Sequence, residues 1–178
     1  KASDIDAVTT PRQPGSTLKP FVYALALERG WHDDSIITDA PLSSPLGTGS
    51  HEFRNYSRRY YGPVTVREAL GNSLNIPAVK ALQYIGTGPL IERLERMGVK
   101  SLNAPAQHYG EGLALGNGEV TLRELVTAYA TLARGGLYAP LTLRADSRAI
   151  RTVRVFTPEA SAMIGDIFSY EVSERDSK

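Results

Sequence analysis

At 178 residues, with 42% hydrophobic and 22% charged residues, the chain has the size and composition of one ordinary globular domain. A net charge of +1 gives no electrostatic reason to expect nucleic acid as a partner, and the absence of cysteine excludes disulfides and thiolate metal sites. No apolar run reaches the roughly 18 residues that a membrane-spanning helix needs.

The first predicted helix follows the segment PRQPGSTLKP, residues 11–20. Behind Ser16, apolar side chains recur at helical spacing, namely Phe21, Val22, Leu25 and Leu27. Gly30 follows at a position typical of a helix C-terminus. Pro20 has no backbone N–H to donate, so we expect an irregular first turn.

Capping signals mark three further helices in the middle of the chain. Thr65 and Glu68 form an S/T-x-x-E capping box, which predicts the start of a short helix. The segment NIPAVKALQYIG reads as the next helix, with Pro77 in its first turn and Gly86 at its end. GPLIERLERMG repeats this pattern, and its predicted apolar face consists of Leu90, Ile91, Leu94 and Met97.

The strongest helix signal lies in GEVTLRELVTAYATLARGG. Thr121 and Glu124 form a second capping box there, and Gly135 is placed to end the helix. Its predicted buried face consists of Leu122, Leu125, Val126, Tyr129 and Leu132. A last helix is predicted to begin at Pro158 with Thr157 as N-cap. The best strand signal is RTVRVFT, and APLSSPLGTGSHEF is predicted to be a loop.

Ser16 and Lys19 have the spacing of a catalytic nucleophile and its base. A serine at a helix N-terminus presents its backbone amide to substrate, which suits an oxyanion hole. A residue three positions further along lies on the same helix face, so Lys19 can reach the hydroxyl. The alternative is an ordinary helix start with a solvated lysine, and the pair alone does not decide between them.

A second pair, Ser73 and Asn75, lies two residues apart in a predicted connection between helices. In such a loop a hydroxyl and a carboxamide can point into one cleft, where the serine relays a proton and the asparagine orients Lys19 or a substrate amide. The alternative is a simple turn, since serine and asparagine are common in turns.

Together, the two pairs resemble the signature of penicillin-binding proteins and related β-lactamases, in which S-x-x-K is followed by a Ser-x-Asn triplet. The intervening FRNYSRRYYGPVTVREAL and the downstream LALGNGEVTLRELVTAYATLARGG also resemble segments of class A penicillin-binding proteins, in the family's order. The resemblance covers roughly residues 11–138. Within it, RQPGSTLKPFVYALALERG is most similar to the penicillin-binding protein 1C branch.

The resemblance implies a peptidoglycan D,D-transpeptidase. Ser16 would attack the carbonyl between two D-alanines of a donor stem peptide and form an acyl-enzyme, which an amine of another stem peptide resolves. Lys19 would accept the proton of the serine, and Ser73 would pass a proton to the leaving amine. Asn75 would bind the donor amide and hold Lys19, so that Ser16, Ser73 and Asn75 all contact substrate. β-Lactams would acylate the same serine, and no cofactor or metal is implied.

The resemblance also implies the fold: an α+β (α/β) sandwich of the transpeptidase and serine β-lactamase type, here mostly its helical part with an incomplete central sheet. The sequence contains no K-T-G motif or K-S-G, H-T-G or R-S-G variant. In the family this motif lies on a strand that supplies part of the oxyanion hole. We therefore expect residues 1–178 to be one partial transpeptidase domain, truncated at both ends, with no second domain, and inactive on its own.

Two alternatives stay open on the sequence. A serine β-lactamase or a penicillin sensor shares the motifs, and a non-catalytic module could serve as a scaffold for cell-wall machinery. By the resemblance, the parent protein is expected at the cell envelope, on the outer side of the cytoplasmic membrane, with a membrane anchor and a glycosyltransferase domain. The three histidines, His32, His51 and His108, fit no metal-ligand spacing.

Overall fold

The computed structural model describes residues 6–46, 49–142 and 151–169. Seven α-helices lie in these ranges: α1 (Lys19–Glu28), α2 (Val66–Gly71), α3 (Asn75–Ile85), α4 (Thr87–Arg96), α5 (Ala106–Tyr109), α6 (Leu122–Ala133) and α7 (Pro158–Ser169). Two 3₁₀ segments, Gly15–Leu18 and Gly110–Leu115, precede α1 and α6. No helix in these ranges is both long enough and apolar enough to cross a membrane.

Six short strands form three antiparallel pairs in the same ranges. The strands are β1 (Ile36–Asp39), β2 (Leu42–Leu46), β3 (Gly49–Phe53), β4 (Gly62–Thr65), β5 (Leu137–Tyr138) and β6 (Val153–Arg154). The strand β1 pairs with β4, β2 with β3, and β5 with β6. The predicted strand RTVRVFT is thus a two-residue strand. The predicted loop APLSSPLGTGSHEF was wrong, because β2 and β3 satisfy each other's backbone groups from Leu42 opposite Phe53 to Leu46 opposite Gly49.

The helix starts follow the predicted caps. Thr65 Oγ1 accepts from Glu68 N at 3.1 Å, and the Glu68 carboxylate accepts from Thr65 N at 2.9 Å, which confirms the first capping box. Thr121 and Glu124 form the same reciprocal pair at α6. Thr157 Oγ1 accepts from the backbone N–H of residue 160 at 3.2 Å, as an N-cap of α7 should.

Helix α1 is the centre of the core. Every residue from Lys19 to Ala26 is buried, and the helix packs against α3, α4 and α7. Because its apolar residues surround the axis, it can be buried on all sides. The first turn before it is 3₁₀ rather than α, in keeping with the irregular start predicted from Pro20.

The predicted buried face of α6 was partly wrong. Leu122 and Val126 are 50% and 51% exposed, whereas Leu132 is buried as expected. The helix instead buries Thr127 and Thr131, whose hydroxyls donate to backbone carbonyls four residues earlier at 2.7 and 3.0 Å. Hydroxyls that are satisfied within their own helix carry little burial cost, so the two threonines can be buried.

Candidate active site

The first candidate pair lies at the N-terminus of the central helix. Ser16 is in the 3₁₀ turn and is exposed, while Lys19 is the first residue of α1 and only 1% exposed. Gly15 adopts a φ of 59°, a left-handed conformation that lets the chain turn sharply into Ser16. The turn therefore presents the serine to solvent and directs the lysine into the protein.

Lys19 is held by three acceptors from the connection between α2 and α3. Its Nζ donates to the Ser73 carbonyl at 2.5 Å, to Asn75 Oδ1 at 2.7 Å and to Ser73 Oγ at 3.2 Å. Burial lowers the pKa of Lys19 from 10.5 to about 8, because desolvation penalises the charged ammonium. A lysine with this pKa supplies a neutral amine near physiological pH.

The magnitude of this change matters for catalysis. With an ordinary pKa, about one lysine in a thousand is neutral at pH 7.5, whereas a pKa near 8 makes about one in four neutral. General-base catalysis needs that neutral form. Burial of Lys19 thus provides the activation that a serine–lysine pair requires.

The second candidate pair, Ser73 and Asn75, lies at a turn in which Ser73 itself has a strained backbone conformation. Ser73 has a φ of 53°, a left-handed conformation that is uncommon for residues other than glycine, and it is exposed. Asn75 is the first residue of α3, and its Nδ2 donates to the carbonyl of Arg54 at 2.8 Å. Such strain persists only where the surrounding structure enforces it, and it is frequent at functional sites.

Three of the four predicted site residues are thus in direct contact. Lys19, Ser73 and Asn75 share hydrogen bonds across 54 and 56 positions of sequence. Ser16 lies one turn before Lys19, and in the described ranges its hydroxyl is not among the acceptors of the Lys19 ammonium. Their catalytic roles stay predictions.

The sequence did not indicate that Gly116 supports the serine turn. This residue ends the second 3₁₀ segment with a φ of 86°, and its Cα lies against the backbone of Gly15. A Cβ atom at Gly116 would come within 2.6 Å of the Gly15 carbonyl oxygen and nearer still to its nitrogen. Only a glycine allows this close approach, one residue before Ser16.

A cleft of about 360 Å³ opens beside this contact. It is lined by Gln13, Phe53, Gly112, Leu115, Gly116 and Asn117. None of these residues could be singled out as a site residue from the sequence, because they come from three separate stretches of chain. Within the described ranges, no group of three or more histidine or acidic side chains is arranged to hold a metal ion.

Asn55 is a further residue that the sequence alone does not single out, and its buried carboxamide lies at the start of α3. Asparagine in a polar loop is too common to be singled out from one sequence. Its partners are up to 21 residues away, so helix or strand periodicity could not predict them.

Comparison with known proteins gives a consistent result. The model of the penicillin-binding protein transpeptidase domain matches residues 2–178. Penicillin-binding protein 1A of Neisseria meningitidis serogroup A is 40% identical over 134 residues, which is 73% of this chain and 16% of that protein. Penicillin-binding protein 1C of Escherichia coli K12 is 35% identical over 143 residues, 80% of this chain and 18% of that protein. Both relatives support the assignment of this chain to the class A penicillin-binding proteins. Its sequence identity is higher with penicillin-binding protein 1A, and the matched stretch is longer with penicillin-binding protein 1C.

Solved structures show the same fold. Penicillin-binding protein 1A from Haemophilus influenzae superposes with a TM-score of 0.79 at 28% identity, covering 93% of this chain and 31% of that one. Penicillin-binding protein A from M. tuberculosis, solved as a ceftriaxone acyl-enzyme complex, gives 0.75 at 22% identity over 90% of this chain and 43% of that one. The predicted α+β fold of this family is confirmed. The chain spans less than a fifth of the curated relatives described above.

Proposed function

We propose a serine transpeptidase reaction for this chain, because it belongs to the family of penicillin-binding protein transpeptidase domains. Residues 1–178 are part of one such domain, and the parent protein cross-links peptidoglycan stem peptides that end in D-Ala-D-Ala. It works at the cell envelope, outside the cytoplasmic membrane, beside a glycosyltransferase domain of the same protein. β-Lactam antibiotics acylate the same serine.

The observation that carries this proposal is the burial of Lys19 against Ser73 and Asn75. An ordinary surface lysine is exposed to solvent. Lys19 is only 1% exposed, and its ammonium donates to the side chains of Ser73 and Asn75. The contact joins the two candidate motifs, and the burial of Lys19 gives it the lowered pKa that a serine acyl-transfer site needs.

In the proposed reaction, Ser16 Oγ attacks the carbonyl carbon of the terminal peptide bond while its proton passes to the neutral Lys19 Nζ. The backbone N–H of Ser16 donates to the developing oxyanion. The tetrahedral intermediate collapses when its C–N bond breaks, and the departing D-alanine amine takes a proton from Ser73. An amine of a second stem peptide then attacks the ester carbonyl and gives up a proton to neutral Lys19, which returns it to Ser16 Oγ as the C–O bond of the ester breaks.

The three hydrogen bonds of Lys19 suggest the path of the proton. A neutral amine has two N–H donors, so it can keep the two short bonds to the Ser73 carbonyl and to Asn75. Its lone pair is then free to accept the Ser16 proton, and the ammonium formed in that step donates its third N–H to Ser73 Oγ at 3.2 Å. This geometry supports a relay from Lys19 through Ser73 to the leaving amine.

The proposal also requires the second oxyanion donor and the carboxylate-binding strand that K-T-G provides in the family, and residues 1–178 contain no such motif. We therefore expect these residues alone to react poorly with a fluorescent penicillin. A form extended through K-T-G should become labelled. In-gel fluorescence of both forms makes the comparison.

Efficient labelling of residues 1–178 would show that the missing donor is misassigned. An extended form that folds but is not labelled would instead favour a non-catalytic scaffold. Release of the label within minutes would favour a β-lactamase, since a transpeptidase holds the acyl group until an amine arrives.

A further inference from the structure

We propose that Asn55 is a positioning residue for acylation: its carboxamide, oriented by Asp39, holds the N-terminus of α3 where Asn75 meets Lys19. The inference rests on the proposed transpeptidase function and deepens it by adding two residues outside the S-x-x-K and S-x-N motifs.

The start of α3 is capped from a distant part of the chain. Leu74 occupies the N-cap position and has no side-chain oxygen with which to cap the helix. Instead, Oδ1 of Asn55 accepts from the backbone N–H of Asn75 at 2.8 Å and of Ile76 at 3.3 Å. These two donors belong to the helix turn that lacks internal acceptors, so Asn55 performs the capping function across 20 residues of sequence.

Asp39 determines which way the Asn55 carboxamide points. Asn55 Nδ2 donates to Asp39 Oδ2 at 2.7 Å and to the Arg59 carbonyl at 3.0 Å. Asp39 is fully buried and also accepts from the backbone N–H of Tyr61 at 2.9 Å. The Arg59 carbonyl can only accept, and Asp39 Oδ2 lies beside it as a second acceptor, so the amide nitrogen faces Asp39 and the amide oxygen faces α3.

This arrangement fixes Asn75 at two points. Its backbone N–H is held by Asn55, and its side-chain Nδ2 is held by the carbonyl of Arg54. The remaining Oδ1 accepts from Lys19. Loss of the Asn55 carboxamide would leave two helix donors without their acceptor and would remove one of the donors to Asp39, and Asn75 could then turn away from Lys19.

The test uses three variants in a form of the protein that carries K-T-G. Asn55→Ala removes both the acceptor for the α3 amides and the donor to Asp39. Asn55→Asp keeps an acceptor for α3 but places a second carboxylate against Asp39. The exchange variant Asn55→Asp with Asp39→Asn restores the donor–acceptor pair between the two positions but loses the bonds to the Arg59 carbonyl and from the Tyr61 N–H. We expect both single variants to acylate about 10- to 100-fold more slowly and the exchange variant to regain part of the rate.

Hydrogen exchange at the first turn of α3 provides a readout that does not depend on activity. Protection of the Asn75 and Ile76 amides should fall in Asn55→Ala and return in the exchange variant. Thr157→Ala is the matched control, because it removes the N-cap of α7 but leaves α3 untouched. It should acylate like the wild type.

Three results would overturn the inference: wild-type acylation in Asn55→Ala, an equal rate loss in Thr157→Ala, or no recovery in an exchange variant that folds. If the wild type itself is not acylated, the proposed function fails. Amide exchange then decides the positioning role separately: unchanged protection in Asn55→Ala overturns it, and lost protection supports it.

Discussion

Replacing Lys19 with arginine is expected to slow acylation of Ser16 by about 10²- to 10⁴-fold, the usual contribution of a general base. Arginine keeps the positive charge and can still donate to Ser73 and Asn75, but its guanidinium stays protonated and cannot accept a proton at working pH. The variant thus separates the base from the charge. Second-order rate constants with a fluorescent penicillin measure the loss.

The pH dependence of the acylation rate gives a second test of Lys19 as the general base. Burial lowers the pKa of Lys19 to about 8, so the neutral fraction grows as pH rises through that value. Acylation by the wild type should therefore accelerate from pH 6 and level off above about 8, while Lys19→Arg loses this rise. Lys80→Arg is the matched control, since Lys80 donates only to the Thr38 carbonyl among the described residues. A wild-type rate that is flat between pH 7 and 9 would contradict the role of Lys19.

Replacing Gly116 with alanine is expected to damage both stability and acylation. The new Cβ would overlap the backbone of Gly15, and an L-residue at a φ of 86° is itself strained. Overlap and strain together should cost about 3 kcal/mol or more of unfolding free energy. Because the overlapped backbone leads directly into Ser16, we expect any folded protein to acylate at least about 100-fold more slowly.

Gly135→Ala separates the overlap from the backbone strain. Gly135 also has a positive φ, 64°, but a Cβ there meets no atom within 4 Å. This control should lose only about 1 kcal/mol and keep its acylation rate. Denaturant unfolding and penicillin labelling of both variants make the comparison. Equal losses in the two variants would show that the contact between Gly116 and Gly15 has no special importance.

The helices could be predicted because their signals are local. The capping boxes at Thr65 and Thr121 lie within four residues of sequence, and the structure has both. The strands β1 and β4 could not be predicted in the same way, since each has four residues and gains its backbone partners only from a segment about 25 positions away. The exposed Leu122 and Val126 show a related limit: periodicity finds an apolar face but not what covers it.

The candidate site likewise contains residues that local motifs predict and residues that only distant contacts bring into place. Ser16, Lys19, Ser73 and Asn75 could be selected because two short motifs occur together in one chain. Their supports could not: Asn55 reaches α3 across 20 residues, and Gly116 approaches Gly15 from 101 positions further along the chain. Such contacts are set by tertiary packing, and no local pattern in the sequence encodes them.

The most direct test of the proposal is to locate the penicillin adduct. A form of the protein that carries K-T-G is treated with benzylpenicillin, digested and analysed by mass spectrometry, beside its Ser16→Ala variant. We predict one adduct of the intact antibiotic on the peptide that contains Ser16, and none in a variant that unfolds at the same denaturant concentration as the wild type. An adduct on a different residue, or equal labelling of Ser16→Ala, would contradict the assignment of Ser16 as the nucleophile.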